Sequence, residues 1–343
     1  MIMTTRTRLM SALFAITLIA GACSDDSGDD TSPTTTTTAA PATTAPDSVT
    51  TSTTTPPPTA APAPVTRVSA GCGAVVANGA ESLTLDTTDG LTRDYRLHTP
   101  AGYDADAATP VVLNFHGLTS NIDAQVNLSR LEPLADTETF IVVTPQGTEN
   151  ATGVPFWNSS SLVSDTVVND VQFVHELLDA VEVSRCVDLD RVFSTGMSNG
   201  GFMSGQLACS MPERIAAIAS VTGLTWNRDC ATDRDVPVLH FHGTADGVVN
   251  FEDIPERVAG WAADNGCVDT PATEAVSDEV ERQVWSCPEG ADVEFYIVDG
   301  GGHTWPGTPL PEPLATILGY TTTDIDATAI AWEWFKSHPM SNT

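Results

Sequence analysis

The chain has 343 residues, with 45 acidic and 14 basic side chains and a formal charge of −31 at pH 7. Lys336 is its one lysine. That balance excludes nucleic acid and anionic membrane surfaces as electrostatic partners, and it suits a soluble protein or a salty medium that screens self-repulsion. At the N-terminus, Arg6 and Arg8 precede an apolar stretch from Leu9 to Ala20. This is short for a membrane span and suits a signal peptide over residues 1–22.

Ala20 and Ala22 satisfy the small-residue rule for ordinary signal cleavage. The same letters, LIAGAC, resemble the lipobox of bacterial lipoproteins, with Ala20 standing where those motifs prefer Leu. Seven cysteines follow: Cys23, Cys72, Cys186, Cys209, Cys230, Cys267 and Cys287. With Cys23 lipidated, the other six can pair in an oxidising compartment; otherwise Cys23 is free or pairs between molecules. We therefore expect an extracellular or cell-surface protein that meets a membrane only through a lipid on Cys23.

Residues 23–66 read as a disordered linker, because runs such as TSPTTTTTAAPATTAP carry almost no large apolar side chains to offset the entropy of folding. Its prolines favour extended conformations, so it could reach on the order of 130 Å. Folded sequence is expected over residues 67–343, as one monomeric domain.

There, strand-like and helix-like runs alternate. TRDYRLHTP alternates like a half-buried strand, and PVVLNFHG and FIVVTPQG are continuous apolar runs of the buried parallel kind. Residues 166–182 have helical spacing, with Val167, Val171, Val174, Leu178 and Val181 on one stripe. RVFSTG predicts the next strand, NGGFMSGQLACSM a helix, and RIAAIASVTG, VPVLHFHG and DVEFYIVDG further strands. The last helix, DIDATAIAWEWFKSH, is expected to bury Ile325, Ala329, Trp332 and Phe335. This order predicts an α/β fold with a mostly parallel central sheet and helices on both faces.

Gly196-Met197-Ser198-Asn199-Gly200 sits where a strand passes into a helix. A lone Gly-x-Ser-x-Gly string is weak, but this setting is the one a nucleophile turn needs. The turn crowds the backbone, and glycines on either side remove the Cβ atoms that would clash. A serine hydroxyl needs a base, and the base an orienting carboxylate, in the chain order Ser, acid, His. Asp246 follows the strand VPVLHFHG, and His303 lies in a glycine-rich loop after DVEFYIVDG. Asp253 and Asp299 are the competing acids. His116, His240 and His242 lie in or at the ends of strands and are expected to pack or hydrogen-bond. The oxyanion should be met by the amide of Asn199 and by that of Leu118, with Thr119 as Leu118's rival. His240 and His242 share one strand face as some metal ligands do, but no third ligand stands at a telling spacing. No metal or organic cofactor is expected.

FSTGMSNGG, LHFHGTADGVV and VDGGGHTWPG, together with PFWN at 155–158 and NGC at 265–267, resemble the secreted poly(3-hydroxybutyrate) depolymerase-like esterases, which include feruloyl and acetyl-xylan esterases. The resemblance covers about residues 70–340, and HTWPG is its most specific part. It implies an α/β-hydrolase fold, with Ser198, Asp246 and His303 as catalytic triad. It also implies that Trp157 and Trp305 line an acyl groove; ordinary aromatic core is the alternative for both. Cys267 pairs with Cys287 on the same resemblance, while Cys209 with Cys230 and Cys72 with Cys186 are assigned by elimination. Members that degrade solid polyester carry an added substrate-binding domain. This chain has a Thr/Pro-rich extension instead, so the expected substrates are soluble hydroxyalkanoate oligomers or short esters. A feruloyl or acetyl-xylan esterase acting on plant-wall esters is the alternative, and a peptidase a further one. A non-catalytic, surface-tethered binding protein on the same fold is the alternative of another class.

Overall fold

The computed structural model describes residues 66–159, 168–226 and 234–340. The expected signal segment, most of the linker and Cys23 lie outside the described residues, as do Val167 and Cys230. The chain runs β1 (Gly79–Asp86), β2 (Thr92–Thr99), β3 (Thr109–Phe115), α1 (Ile122–Ser129), α2 (Leu131–Glu138), β4 (Ile141–Pro145) and a short hairpin of β5 (Thr148–Glu149) and β6 (Pro155–Phe156). There follow α3 (Asp170–Ser184), β7 (Val187–Met197), α4 (Asn199–Ser210), β8 (Ala217–Val221), β9 (Val238–Gly243) and α5 (Ile254–Asp264). The last elements are β10 (Ala272–Ala275), β11 (Val280–Trp285), β12 (Val293–Val298), α6 (Leu314–Leu318) and α7 (Ala327–Ser337).

Ten of these strands form one sheet in the order β1-β2-β4-β3-β7-β8-β9-β12-β11-β10. The six central strands, from β4 to β12, pair in parallel, and the outer pairs at both ends are antiparallel. The apolar runs explain the centre: β3, β4, β8 and β9 are buried along their whole length, as strands covered on both faces must be. Side chains alternate between two core clusters. Val111, Leu113 and Phe115 pack with Phe173, Val174 and Leu178 of α3, Leu207 of α4 and Trp261 of α5. Val112 faces the other way, with Leu131 and Ala135 of α2 and Ala331, Trp332 and Phe335 of α7. Helices therefore cover both faces, as expected.

Asn169 caps α3 by accepting from the Gln172 amide at 3.0 Å, so this helix begins at Asp170, four residues later than its apolar spacing suggested. Val174, Leu178 and Val181 are buried as the stripe predicts, with Phe173 and Leu177 beside them. One expectation for α7 is corrected. Ala329 is exposed, and the inward face is Ala327, Ala331, Trp332, Trp334 and Phe335. Asp326 caps the helix by accepting from the Thr328 and Ala329 amides, so Ile325 lies before the helix and its spacing to Ala329 carries no helical phase. Cys72 is bonded to Cys186 and Cys267 to Cys287, both as expected. Cys209 is disulfide-bonded; its expected partner is the Cys230 named above.

Candidate active site

β3, β7, β8, β9 and β12 run in parallel, so their carboxyl ends share one edge of the sheet, the edge where open α/β sheets present their functional loops. Ser198 follows β7 directly, Asp246 follows β9, and His303 follows β12.

Ser198 has φ 57° and ψ −118°, a left-handed conformation that side-chain-bearing residues rarely adopt. It is held there by close backbone packing. A Cβ on Gly200 would lie 2.1 Å from the Phe115 carbonyl oxygen, and one on Gly196 would lie 2.6 Å from both the Gly200 and Phe115 carbonyl oxygens. These glycines are therefore required for the β7–α4 turn to lie against the end of β3. The Ser198 amide donates to the Val221 carbonyl at 2.8 Å, which ties the turn to β8. The strain costs on the order of 1–3 kcal/mol and leaves the serine half-buried at the N-terminus of α4. Among the described residues its hydroxyl makes no hydrogen bond.

Asp246 and His303 are brought together. His303 Nδ1 lies 2.7 Å from Asp246 Oδ2, and both residues are buried. The other carboxylate oxygen, Oδ1, accepts from the amides of Val248 and Val249 at 2.8 and 2.9 Å. Burial works to raise the pKa of this carboxyl, but the His303 hydrogen bond and charge, with the two amides, outweigh it and hold the group below its ordinary 3.8. The competing acids do not reach His303: Asp299 is exposed and accepts from the Thr244 hydroxyl, and Asp253 is exposed beside α5.

The loop after β3 lies against the serine, since a Cβ on Gly117 would stand 3.5 Å from that of Ser198. Thr119 has φ 68°, and its amide donates to the Pro155 carbonyl at 3.0 Å. Among the described residues, the amides of Leu118 and Asn199 have no acceptor. Of the two residues weighed for the loop's donor, Thr119 is thus already engaged and Leu118 is free.

The three strand histidines are buried. His116 Nδ1 donates to the Gly117 carbonyl at 2.7 Å, and Nε2 accepts from the Gly147 amide at 2.9 Å. It thereby fixes the loop that carries Leu118. Burial drives its pKa down to about 4, so the ring is neutral at neutral pH. His240 and His242 lie 3.1 Å apart on one face of β9, as predicted, and bond to each other.

Trp157 and Trp305 do not present a groove surface, being 0% and 1% exposed. Trp157 stands edge-on to Phe115, and its indole donates to the His116 carbonyl at 2.9 Å. Trp305 donates to the Thr328 hydroxyl at 3.0 Å and so anchors the His303 loop to α7. Sequence reading missed the Asn199 side chain. Its Oδ1 accepts from the Trp157 amide, and its Nδ2 donates to the Trp157 carbonyl and the Ser159 hydroxyl, so it clamps the 157–159 segment to α4. The only signal was PFWN, which marks the segment without revealing what holds it.

Sheet order, strained serine turn and Asp–His pair together define the α/β-hydrolase fold. Among solved structures, the chain is similar to an acetyl xylan esterase from Aspergillus awamori, with TM-score 0.55 and 17% identity over 76% of this chain and all of that one, a likeness of fold. The family model described as Esterase PHB depolymerase matches residues 93–254, which include Ser198 and Asp246. Feruloyl esterase D of Neurospora crassa is 30% identical over 255 residues, 68% of this chain and 82% of its own length. Feruloyl esterase B of Piromyces equi is 27% identical over 224 residues, 60% of this chain, and the match spans 41% of that longer protein. The chain belongs to the family of PHB depolymerase-like and feruloyl esterases.

Proposed function

We propose that this protein is a serine esterase that hydrolyses carboxylic esters through an acyl-enzyme. The observation that carries the reading is the 2.7 Å Asp246–His303 pair at the sheet edge where the strained Ser198 stands. His303 takes the hydroxyl proton as Ser198 attacks the ester carbonyl, then gives it to the leaving alcohol. Asp246 holds the imidazole with its proton on Nδ1, leaving Nε2 to act as base. The Leu118 and Asn199 amides receive the oxyanion. Water then releases the acid by the reverse proton path.

Soluble 3-hydroxybutyrate oligomers or short esters are the proposed substrates. The relatives named feruloyl esterase favour a second reading, an aryl or acetyl ester of plant cell wall. The disulfides suit an extracellular protein, and a lipid on Cys23 would hold it at a cell surface. A fluorophosphonate probe followed by peptide mass analysis tests the reading. The expected adduct sits on Ser198; an unlabelled protein would instead support a binding module on the same fold. Turnover of hydroxybutyrate oligomers against methyl ferulate and acetylated xylan ranks the substrates.

A further inference from the structure

A continuous line of buried polar groups runs beneath the Asp246 turn, and the reaction above makes no use of it. It begins on β8, where the Ser220 hydroxyl lies 2.8 Å from His240 Nδ1. His240 Nε2 lies 3.1 Å from His242 Nδ1, and His242 Nε2 lies 2.9 Å from the Val249 carbonyl and 3.4 Å from Asp246 Oδ2. Ser220, His240 and His242 are all fully or almost fully buried. Phe295 stacks on His240 at 5.5 Å and on Phe251 at 6.2 Å, and Phe251 reaches His242 at 6.1 Å, so the imidazoles run through an aromatic sleeve.

Two carbonyls compete for these protons, that of Ser220, 3.1 Å from His240 Nδ1, and that of Val249 at His242 Nε2. The Ser220 end has a hydroxyl that can donate to a bare ring nitrogen, and the Val249 end has a second acceptor, the Asp246 carboxylate. His242 Nε2 faces two acceptors and no donor, so it carries a hydrogen. His242 Nδ1 is then bare and accepts from His240 Nε2–H. His240 Nδ1 is bare in turn and accepts from the Ser220 hydroxyl. Burial holds both rings below their ordinary pKa, so both are neutral and the chain of donors points one way, from β8 to the turn. At its end it grips the carbonyl of Val249, the residue whose amide donates to Asp246 Oδ1. The final N–H dipole also bears on Oδ2, the oxygen that faces His303.

We propose that Ser220, His240 and His242 are positioning residues, a one-directional array of neutral donors that fixes the Asp246 turn so that Oδ2 is aimed at His303. The inference rests on the reading that Asp246 orients His303. Ser220 at the far end matters because His240 Nδ1 also lies 3.1 Å from the Ser220 carbonyl. Without the hydroxyl, His240 would place its proton on Nδ1 and donate to that carbonyl. His242 would then hold its proton on Nδ1 and present a bare Nε2 to the Val249 carbonyl and to Asp246, acceptor against acceptor.

The test uses p-nitrophenyl acetate turnover and nitrogen-15 NMR of the histidines, on the full chain. His242→Leu should lower kcat about tenfold to a hundredfold and leave KM within about twofold, the pattern of a misaimed reacting group. His242→Gln, which can accept from His240 and donate to Val249, should recover most of that loss. Ser220→Ala removes one buried hydroxyl and keeps the fold even if His242→Leu does not. It should lower kcat about threefold to tenfold and move the His242 proton from Nε2 to Nδ1. A Ser220→Ala protein whose His242 keeps its Nε2 proton overturns the proposal whatever its rate. So does a Gln variant as impaired as the Leu variant. The tautomer readout needs no turnover, so it separates failure of the array from failure of the serine mechanism.

Discussion

The two halves of the candidate site are built by opposite means. The Ser198 half is held by backbone: a left-handed residue, two glycines without room for a Cβ, and a turn pressed on the end of β3. The Asp246–His303 half is held by side-chain hydrogen bonds between loops 57 residues apart, with amides of the turn on one carboxylate oxygen and an imidazole on the other. Backbone confinement tolerates no substitution at the glycines. Hydrogen bonding can be weakened atom by atom. The two halves should therefore fail differently, one by loss of shape and the other by loss of chemistry in an intact fold.

The largest effect on the side-chain half is expected from Asp246→Asn. The amide keeps the shape but favours the wrong imidazole tautomer, and kcat should fall about a thousandfold to ten-thousandfold with little change in melting temperature. Kinetics and a thermal melt read both quantities. A large drop in melting temperature would mean that the carboxylate is structural. Gly200→Ala should break the backbone half. Its Cβ would meet the Phe115 and His116 carbonyl oxygens, which cannot swing away as a side chain could, so about 3 kcal/mol of stability should go along with activity. Urea unfolding measures it, and an active, stable Gly200→Ala protein would refute the packing argument.

A pH-dependent effect, one on stability rather than on the chemistry, belongs to the histidines that brace both halves. Below pH 6.5 the unfolded chain's imidazoles take up protons that buried His116, His240 and His242 refuse. The unfolded state then binds more protons, so stability must fall as pH falls. For His116 the loss runs from 6.5 down to about 4 and amounts to about 3 kcal/mol at its end. Asp246, held below 3.8, adds to the loss only at more acid pH. Urea unfolding at pH 7 and pH 4.5 tests this, and His116→Gln should flatten the slope. Equal stability at both values would contradict the buried neutral rings.

The same contrast explains what the sequence made legible. Backbone constraint writes itself locally, so Gly196 and Gly200 around Ser198, between an apolar run and a helix, marked the turn directly. Long-range pairing leaves no local mark. Asp246 was preferred over Asp253 and Asp299 by chain order, and the structure gives the physical reason: Asp246 alone of the three is buried against the imidazole. The central strands were legible because burial on both faces demands unbroken apolar runs. The exposure of Ala329 was not, because α7 starts after the capping Asp326 and the spacing from Ile325 to Ala329 only looks helical. Nor was the burial of Trp157 and Trp305, since an aromatic residue in a motif reads alike whether it lines a groove or supports one from below. The free amide at Leu118 also depends on a partner choice, Thr119 to Pro155, that lies outside any local pattern.

The central claim is that Ser198 and His303 act as one unit, and a double-mutant comparison tests it most directly. Turnover of p-nitrophenyl acetate should fall to the same low floor in Ser198→Ala, in His303→Ala and in the double variant, because removing either partner already disables the other. If Ser198→Ala retains wild-type turnover, or if the two losses multiply in the double variant, the two side chains do not form a catalytic pair and the account is wrong.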